Sequence, residues 1–231
     1  MRFEVAAAGR TLAAAMPSAA RTDQVLTIVI EGDGRAHDRH GRASPDPTPD
    51  KAVGLELAKA WPGSAAWLGR PCQYVQDAAC KPADWTTHRF SEEAVAMTDA
   101  AVSALMSRAQ AERVVLVGWS GGGVMATLVA ARRDDVAGLV TIAAPLDLAA
   151  WTRSRGLSPL QGLDPADLPP ITAAQAHLTG AFDPLVRPAV VRETARRLAG
   201  PQGQVETWPE RHDCCWVARV EEIAAGLEAQ P

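Results

Sequence analysis

Midway along the chain, Arg113-Val114-Val115-Leu116-Val117 runs without a break into Gly118-Trp119-Ser120-Gly121-Gly122-Gly123, and then into the apolar, alanine-rich stretch Val124 to Ala131. The first run carries the β-branched signature of a buried strand, and the last reads as a helix. No residues are left for a loop, so the chain must turn from strand to helix within the glycines. Glycines before and after Ser120 leave room for so sharp a bend, and the serine is held in a strained conformation with its hydroxyl projecting. G-W-S-G-G thus satisfies G-x-S-x-G, the pattern of a nucleophile elbow. A glycine-rich turn can also be an idle connection or a phosphate cradle. A dinucleotide turn would place G-x-G-x-x-G near the first strand, and a P-loop would need Gly-Lys-Ser/Thr; neither occurs here.

Elements of the same kind alternate along the rest of the chain. Residues 1–15 read as two short strands turning at Gly9-Arg10, with Phe3, Val5 and Leu12 inward. Val25 to Ile30 reads as a central strand ending at Glu31-Gly32-Asp33-Gly34, followed by a surface loop to Asp50. Asp50 is expected to cap a helix running through Leu55 to Ala60, and Ala65 to Leu68 to form a short strand. Ser91, with Glu92 and Glu93, opens a helix past Leu105. Strands at Val136 to Ala143, Gln175 to Thr179 and Gln204 to Trp208 follow, with helices at Pro188 to Leu198 and Trp216 to Leu227. This order predicts an α/β architecture: one domain over residues 1–231, with a mostly parallel sheet covered by helices on both faces. The irregular stretch Asp147 to Pro170 is expected to be a small cap or lid over one end of the sheet, not a separate domain.

Composition narrows the function classes. A formal net charge of −4 over 231 residues gives no electrostatic footprint for nucleic acid or an anionic membrane surface. No stretch is apolar and long enough to span a bilayer. The N-terminal apolar run is broken by Glu4 and Arg10, unlike a signal-peptide core. A periplasmic or secreted location is therefore expected if an upstream signal has been removed, and a cytoplasmic one otherwise. Of the four cysteines, Cys72 and Cys80 lie in one loop and Cys214 and Cys215 are adjacent, a spacing unlike that of a metal site. They are either reduced thiols or include a Cys72–Cys80 disulfide. His37, Asp38 and His40 read as a solvated loop, so no metal or other cofactor is expected.

A serine nucleophile needs an imidazole base and a carboxylate to orient it. Only His177 and His212 follow Ser120. His177 falls inside a strand, where a packed histidine is expected, whereas His212 lies in the loop P-E-R-H-D before the last helix. Asp183, just past a strand in T-G-A-F-D-P, is the candidate acid. Asp147, after the preceding strand, is its rival, and Asp213 reads as a capping or solvated residue. Backbone N–H groups of Gly121 and Asp33, with Gly34 as the alternative to Asp33, are expected to form an oxyanion hole. Glu31 and Asp33 near the site would disfavour anionic acyl groups. Trp119, Gly34, Trp151 and Leu157 are the candidate substrate-binding residues.

These residues carry a resemblance to the α/β-hydrolase superfamily, extending from the Val25 strand to the last helix. The matching positions are Gly32 and Gly34, the elbow at Gly118 to Gly122, Asp183 and His212. The chain is similar in particular to a bacterial group carrying I-E-G-D-G, R-P-C-Q-Y and R-F-S-E-E, here Ile30 to Gly34, Arg70 to Tyr74 and Arg89 to Glu93. Members of that group look exported or lipoprotein-like. Glu31 stands where many superfamily members have histidine. The resemblance implies serine-hydrolase chemistry without choosing among its substrate classes. The expected reaction is carboxylesterase-like cleavage of an uncharged small-molecule ester through an acyl-enzyme, and the length of the insertion Asp147 to Pro170 suggests a small or medium acyl group. A peptidase, thioesterase or acyltransferase would keep the same triad, and a non-catalytic binding module would show a broken one. The sequence assigns no oligomeric state.

Overall fold

The computed structural model describes residues 1–17 and 24–228. In chain order the elements are β1 (Arg2–Ala7), β2 (Arg10–Ala15), β3 (Val25–Ile30), α1 (Val53–Ala60), β4 (Ala65–Leu68), α2 (Pro82–Trp85), α3 (Glu92–Ala109), β5 (Arg113–Trp119), α4 (Gly121–Ala130), β6 (Val136–Ile142), α5 (Leu148–Arg155), β7 (Ala174–Gly180), α6 (Pro188–Ala199), β8 (Gln204–Trp208) and α7 (Val220–Glu228). The strands form a single eight-stranded sheet in the order β1-β2-β4-β3-β5-β6-β7-β8. All pairings from β4 to β8 are parallel, and the β1–β2 hairpin is added antiparallel at one edge.

The sheet is buried on both faces, as runs such as VLTIVI and VVLV require. On one side, Val95, Val102 and Leu105 of α3 and Val124, Met125 and Leu128 of α4 pack on Leu26, Ile28 and Leu116. On the other, Val53 and Leu57 of α1, Trp216, and Val220 and Ile223 of α7 cover Val29, Val117 and Val140. Ser91 caps α3 by accepting from the Ala94 amide at 3.2 Å. The expected Asp50 cap on α1 is not made: the helix opens after Ala52 without a side-chain cap, and Asp50 pairs with Arg35 at 3.3 Å. Its role falls to Glu31, whose buried carboxylate accepts from the Gly54 and Leu55 amides at 2.9 and 3.2 Å and from Trp67 Nε1 at 2.9 Å.

The stretch from Asp147 to Pro170 divides in two. Its first half is α5. Its second half turns back onto the body of the protein, with Leu160, Leu163 and Leu168 against the core and the Leu163 amide bonded to the Phe90 carbonyl at 3.0 Å. The sulfurs of Cys72 and Cys80 are paired, as are those of Cys214 and Cys215. Arg10 lies 3.1 and 2.9 Å from the Cys72 and Cys80 sulfurs and 2.7 Å from Asp77, tying the β1–β2 hairpin to that loop. Among the described residues, no helix is long and apolar enough to cross a membrane.

The strand order sets the position of the site. From β3 the chain moves outward to β4, then crosses back over β3 to β5, so β3 and β5 are neighbours whose following segments leave the sheet in opposite directions. Ligands of open α/β sheets bind in the crevice at such a reversal. Ile30 pairs with Gly118 at the ends of these strands, which places Glu31–Gly34 beside the Ser120 turn.

Candidate active site

Ser120 stands between β5 and α4 at φ 53°, ψ −126°, a left-handed conformation that a serine holds only when its surroundings fix it. The Ser120 amide donates to the Ile142 carbonyl at 2.8 Å, and the Gly123 amide to the Ser120 carbonyl at 2.9 Å. A Cβ on Gly118 would overlap the Gly122 carbonyl, which is why this bend requires glycine there.

Two further strand ends bring the partners in. β7 and β8 pair to their last residues, Gly180 with Trp208, and the Phe182 amide reaches the Glu210 carbonyl at 3.0 Å, so the loops carrying Asp183 and His212 run side by side. His212 Nε2 lies 3.0 Å from Ser120 Oγ, and His212 Nδ1 lies 2.7 Å from Asp183 Oδ2. A carboxylate only accepts, so Nδ1 carries the proton and Nε2 is left to accept from the serine hydroxyl. Asp183 Oδ1 accepts from the Leu185 and Val186 amides at 2.7 and 2.9 Å. The His212 carbonyl accepts from Trp119 Nε1 at 2.9 Å and Trp216 Nε1 at 3.1 Å. The ring and main chain of His212 are thus both held. Such an arrangement can take a proton from a hydroxyl and return it to a leaving group.

The rival residues are placed elsewhere. Asp147 caps α5 by accepting from the Ala150 amide at 2.7 Å. Asp213 is exposed. His177 is enclosed in the core, with Nδ1 2.8 Å from Thr141 Oγ1 and Nε2 3.1 Å from Gln175 Oε1, and burial pulls its pKa down to about 4. Asp38 is taken up by the His40 and Arg42 amides at 2.8 and 3.0 Å.

Ser120 and His212 line a cavity of about 450 Å³, with Asp33, Gly34, Trp119, Trp151 and Leu185 among its walls. Trp151, from α5, is fixed by its Nε1 donating to the Leu185 carbonyl at 2.9 Å. Leu157 is not part of this wall: it lies beyond the end of α5 and is half exposed. A larger hollow of about 710 Å³ lies at the opposite ends of the strands, against Val25, Arg113 and Val136, away from the carboxyl ends where this fold type gathers its chemistry.

The expected repulsion of anionic groups by Glu31 and Asp33 is not supported by their surroundings. Glu31 faces α1, where burial raises its pKa against its hydrogen bonds. Asp33 is matched by Arg70 at 3.0 Å and Arg89 at 2.8 Å. Among the described residues, the Asp33 amide has no main-chain acceptor. Gly121, as the first residue of α4, has no acceptor within its helix.

No protein-family model matches this sequence, and no curated protein matches it. Solved structures do. An α/β serine hydrolase homologue from Coxiella burnetii is 18% identical, with a TM-score of 0.62 over 98% of this chain and 95% of its own. A lidless α/β serine hydrolase from Xanthomonas campestris is 16% identical, with a TM-score of 0.62 over 99% and 91%. An esterase from Pyrococcus furiosus is 14% identical, with a TM-score of 0.65 over 97% and 91%. The chain has the α/β-hydrolase fold.

Within this α/β-hydrolase fold, several residues around the cavity carry no motif of their own. Leu185, on the cavity wall, and Trp216, which holds the His212 carbonyl, are of this kind. So are Arg70 and Arg89, although they open R-P-C-Q-Y and R-F-S-E-E, two of the segments that mark the resemblance. A pairing of buried arginines with Asp33 has no sequence spacing to reveal it.

Proposed function

We propose that this protein is a serine hydrolase that cleaves a carboxylic ester of small or medium acyl group through an acyl-enzyme. The observation that carries this reading is the unbroken line Asp183–His212–Ser120, with contacts of 2.7 and 3.0 Å, at the wall of an open cavity. Ser120 Oγ attacks the ester carbonyl while His212 Nε2 takes its proton, and Asp183 stabilises the imidazolium that forms. The Gly121 and Asp33 amides receive the negative oxygen of the tetrahedral intermediate. His212 then protonates the departing alcohol, and a water activated by the same nitrogen releases the acid.

Acyl length is argued from the cavity. A space of about 450 Å³ lined by Trp119 and Trp151 accommodates a compact acyl group. Trp151 is the wall that α5 adds over it, and we assign the covering role of the stretch Asp147 to Pro170 to this helix alone. A binding module is disfavoured by the intact serine–histidine–carboxylate line. The test is a p-nitrophenyl ester chain-length series with Ser120→Ala as the blank. Hydrolysis is expected to be fastest for short and medium esters and to vanish in the variant. Rates that climb beyond octanoate would refute the acyl preference, and equal rates in the variant would refute the hydrolase reading.

A further inference from the structure

Two buried arginines grip Asp33 from behind the cavity. Arg70 Nη1 lies 3.0 Å from Asp33 Oδ1, and Arg89 Nε lies 2.8 Å from Oδ2. Both guanidiniums are fixed in turn: Arg70 Nη2 donates to the Arg89 carbonyl at 2.7 Å, and Arg89 Nη1 to the Thr86 carbonyl at 2.7 Å. The faces of Phe90 and Trp151 lie within 5.0 and 5.8 Å of Arg70 and Arg89 respectively. Gln73 spans the same loop, accepting from the Arg70 amide at 3.2 Å while donating to the Gly32 carbonyl.

The Asp33 carboxylate they hold lies directly against the first residue of α4, since a Cβ on Gly121 would overlap it. A lone carboxylate there would oppose the negative oxygen that must form beside the Gly121 amide. Two guanidiniums face the one Asp33 carboxylate in a water-poor setting where charge acts strongly, while Asp84, which lines the same hollow, faces Arg10 at 3.9 Å. The Nε–H of Arg70 is buried without a hydrogen-bond acceptor among the described residues.

We infer that Arg70 and Arg89 are positioning residues of the oxyanion site: through Asp33 they fix its main-chain N–H beside Gly121, and their charge offsets the carboxylate next to the forming oxyanion. This rests on the hydrolase reading above. Like other groups that orient a reacting shell, each arginine should be worth about tenfold to a hundredfold in rate.

The experiment compares wild type, Arg89→Met and Arg89→Lys on the best p-nitrophenyl ester, with thermal unfolding as the control for folding. Arg89→Met is expected to lose about tenfold to a hundredfold in kcat with KM nearly unchanged, because the contact matters only once the oxyanion forms. Arg89→Lys, which keeps the charge but not the planar fork, should recover part of the loss. Inactivation by a fluorophosphonate should slow in parallel, since that attack also loads charge onto an oxygen. Should Arg89→Met fail to fold, Arg89→Gln is read in its place. A folded neutral variant with wild-type kcat would overturn the inference. So would a loss confined to KM, which would make the arginines a site for a substrate anion. Wild-type protein that neither turns over the ester nor reacts with fluorophosphonate would instead overturn the hydrolase reading itself.

Discussion

Asp183 Oδ2 lies 2.7 Å from His212 Nδ1, and Asp183 Oδ1 is occupied by two main-chain amides. The carboxylate is therefore fixed before it orients the ring. Asp183→Asn keeps the shape but can offer an N–H to Nδ1, which favours the wrong tautomer. By analogy with other such triads, kcat should fall about 10⁴-fold with the fold retained. Steady-state kinetics beside a circular dichroism spectrum checks this. A loss under tenfold would remove Asp183 from the role proposed for it.

Gly121→Ala places a methyl group where the Asp33 carboxylate lies. Either Asp33 or the start of α4 must then move, and the two amides proposed to receive the oxyanion separate. Loss of one such donor costs about 10²- to 10³-fold in kcat. The same should be seen here, with KM little changed, by kinetics on the same ester.

His177 makes stability sensitive to acid. Its folded pKa is depressed from 6.5 to about 4 by burial. Above pH 6.5 neither state binds the proton, so the full stability is present. As pH falls from 6.5 toward 4, the unfolded chain takes up a proton that the folded protein refuses, and stability is lost. The slope reaches about 1.4 kcal/mol per pH unit for one proton. Urea unfolding of wild type and His177→Gln across that range should show a shallower slope in the variant, whatever its absolute stability.

The Cys72–Cys80 bond closes a short loop next to Arg70. Loop-closure entropy for so few residues is worth about 2–3 kcal/mol. Cys72→Ala/Cys80→Ala should therefore unfold at lower denaturant with the transition otherwise similar. Intact mass of the unreduced protein, before and after a reductant, measures the bonded state directly.

How much of this was legible in the sequence depended on whether the cause was local. The elbow was readable because strand, glycines and helix are contiguous from Arg113 to Ala131, and steric demand alone dictates the bend. The strands that end before Asp183 and His212 were readable as short runs bounded by glycine and proline, with Val205 and Thr207 giving the second its β-branched character. The cap of α1 was not, because the acceptor is Glu31 at the end of β3, 23 residues before Gly54, while Asp50 lies nearer in sequence and turns to Arg35. The arginines around Asp33 escaped notice for the same cause: a charged residue reads as surface until its buried partner is known. Leu157 looked like an acyl-pocket residue because apolar side chains in a covering segment are expected to face inward, yet α5 ends before it and leaves it exposed.

The central claim is that the Ser120 hydroxyl is a nucleophile activated by His212. Fluorophosphonate labelling followed by peptide mapping tests it most directly. The wild type should carry one adduct, on the peptide containing Ser120. Folded Ser120→Ala should carry none, and His212→Ala should label far more slowly. An adduct on another residue, or no adduct on folded wild type, would contradict the account.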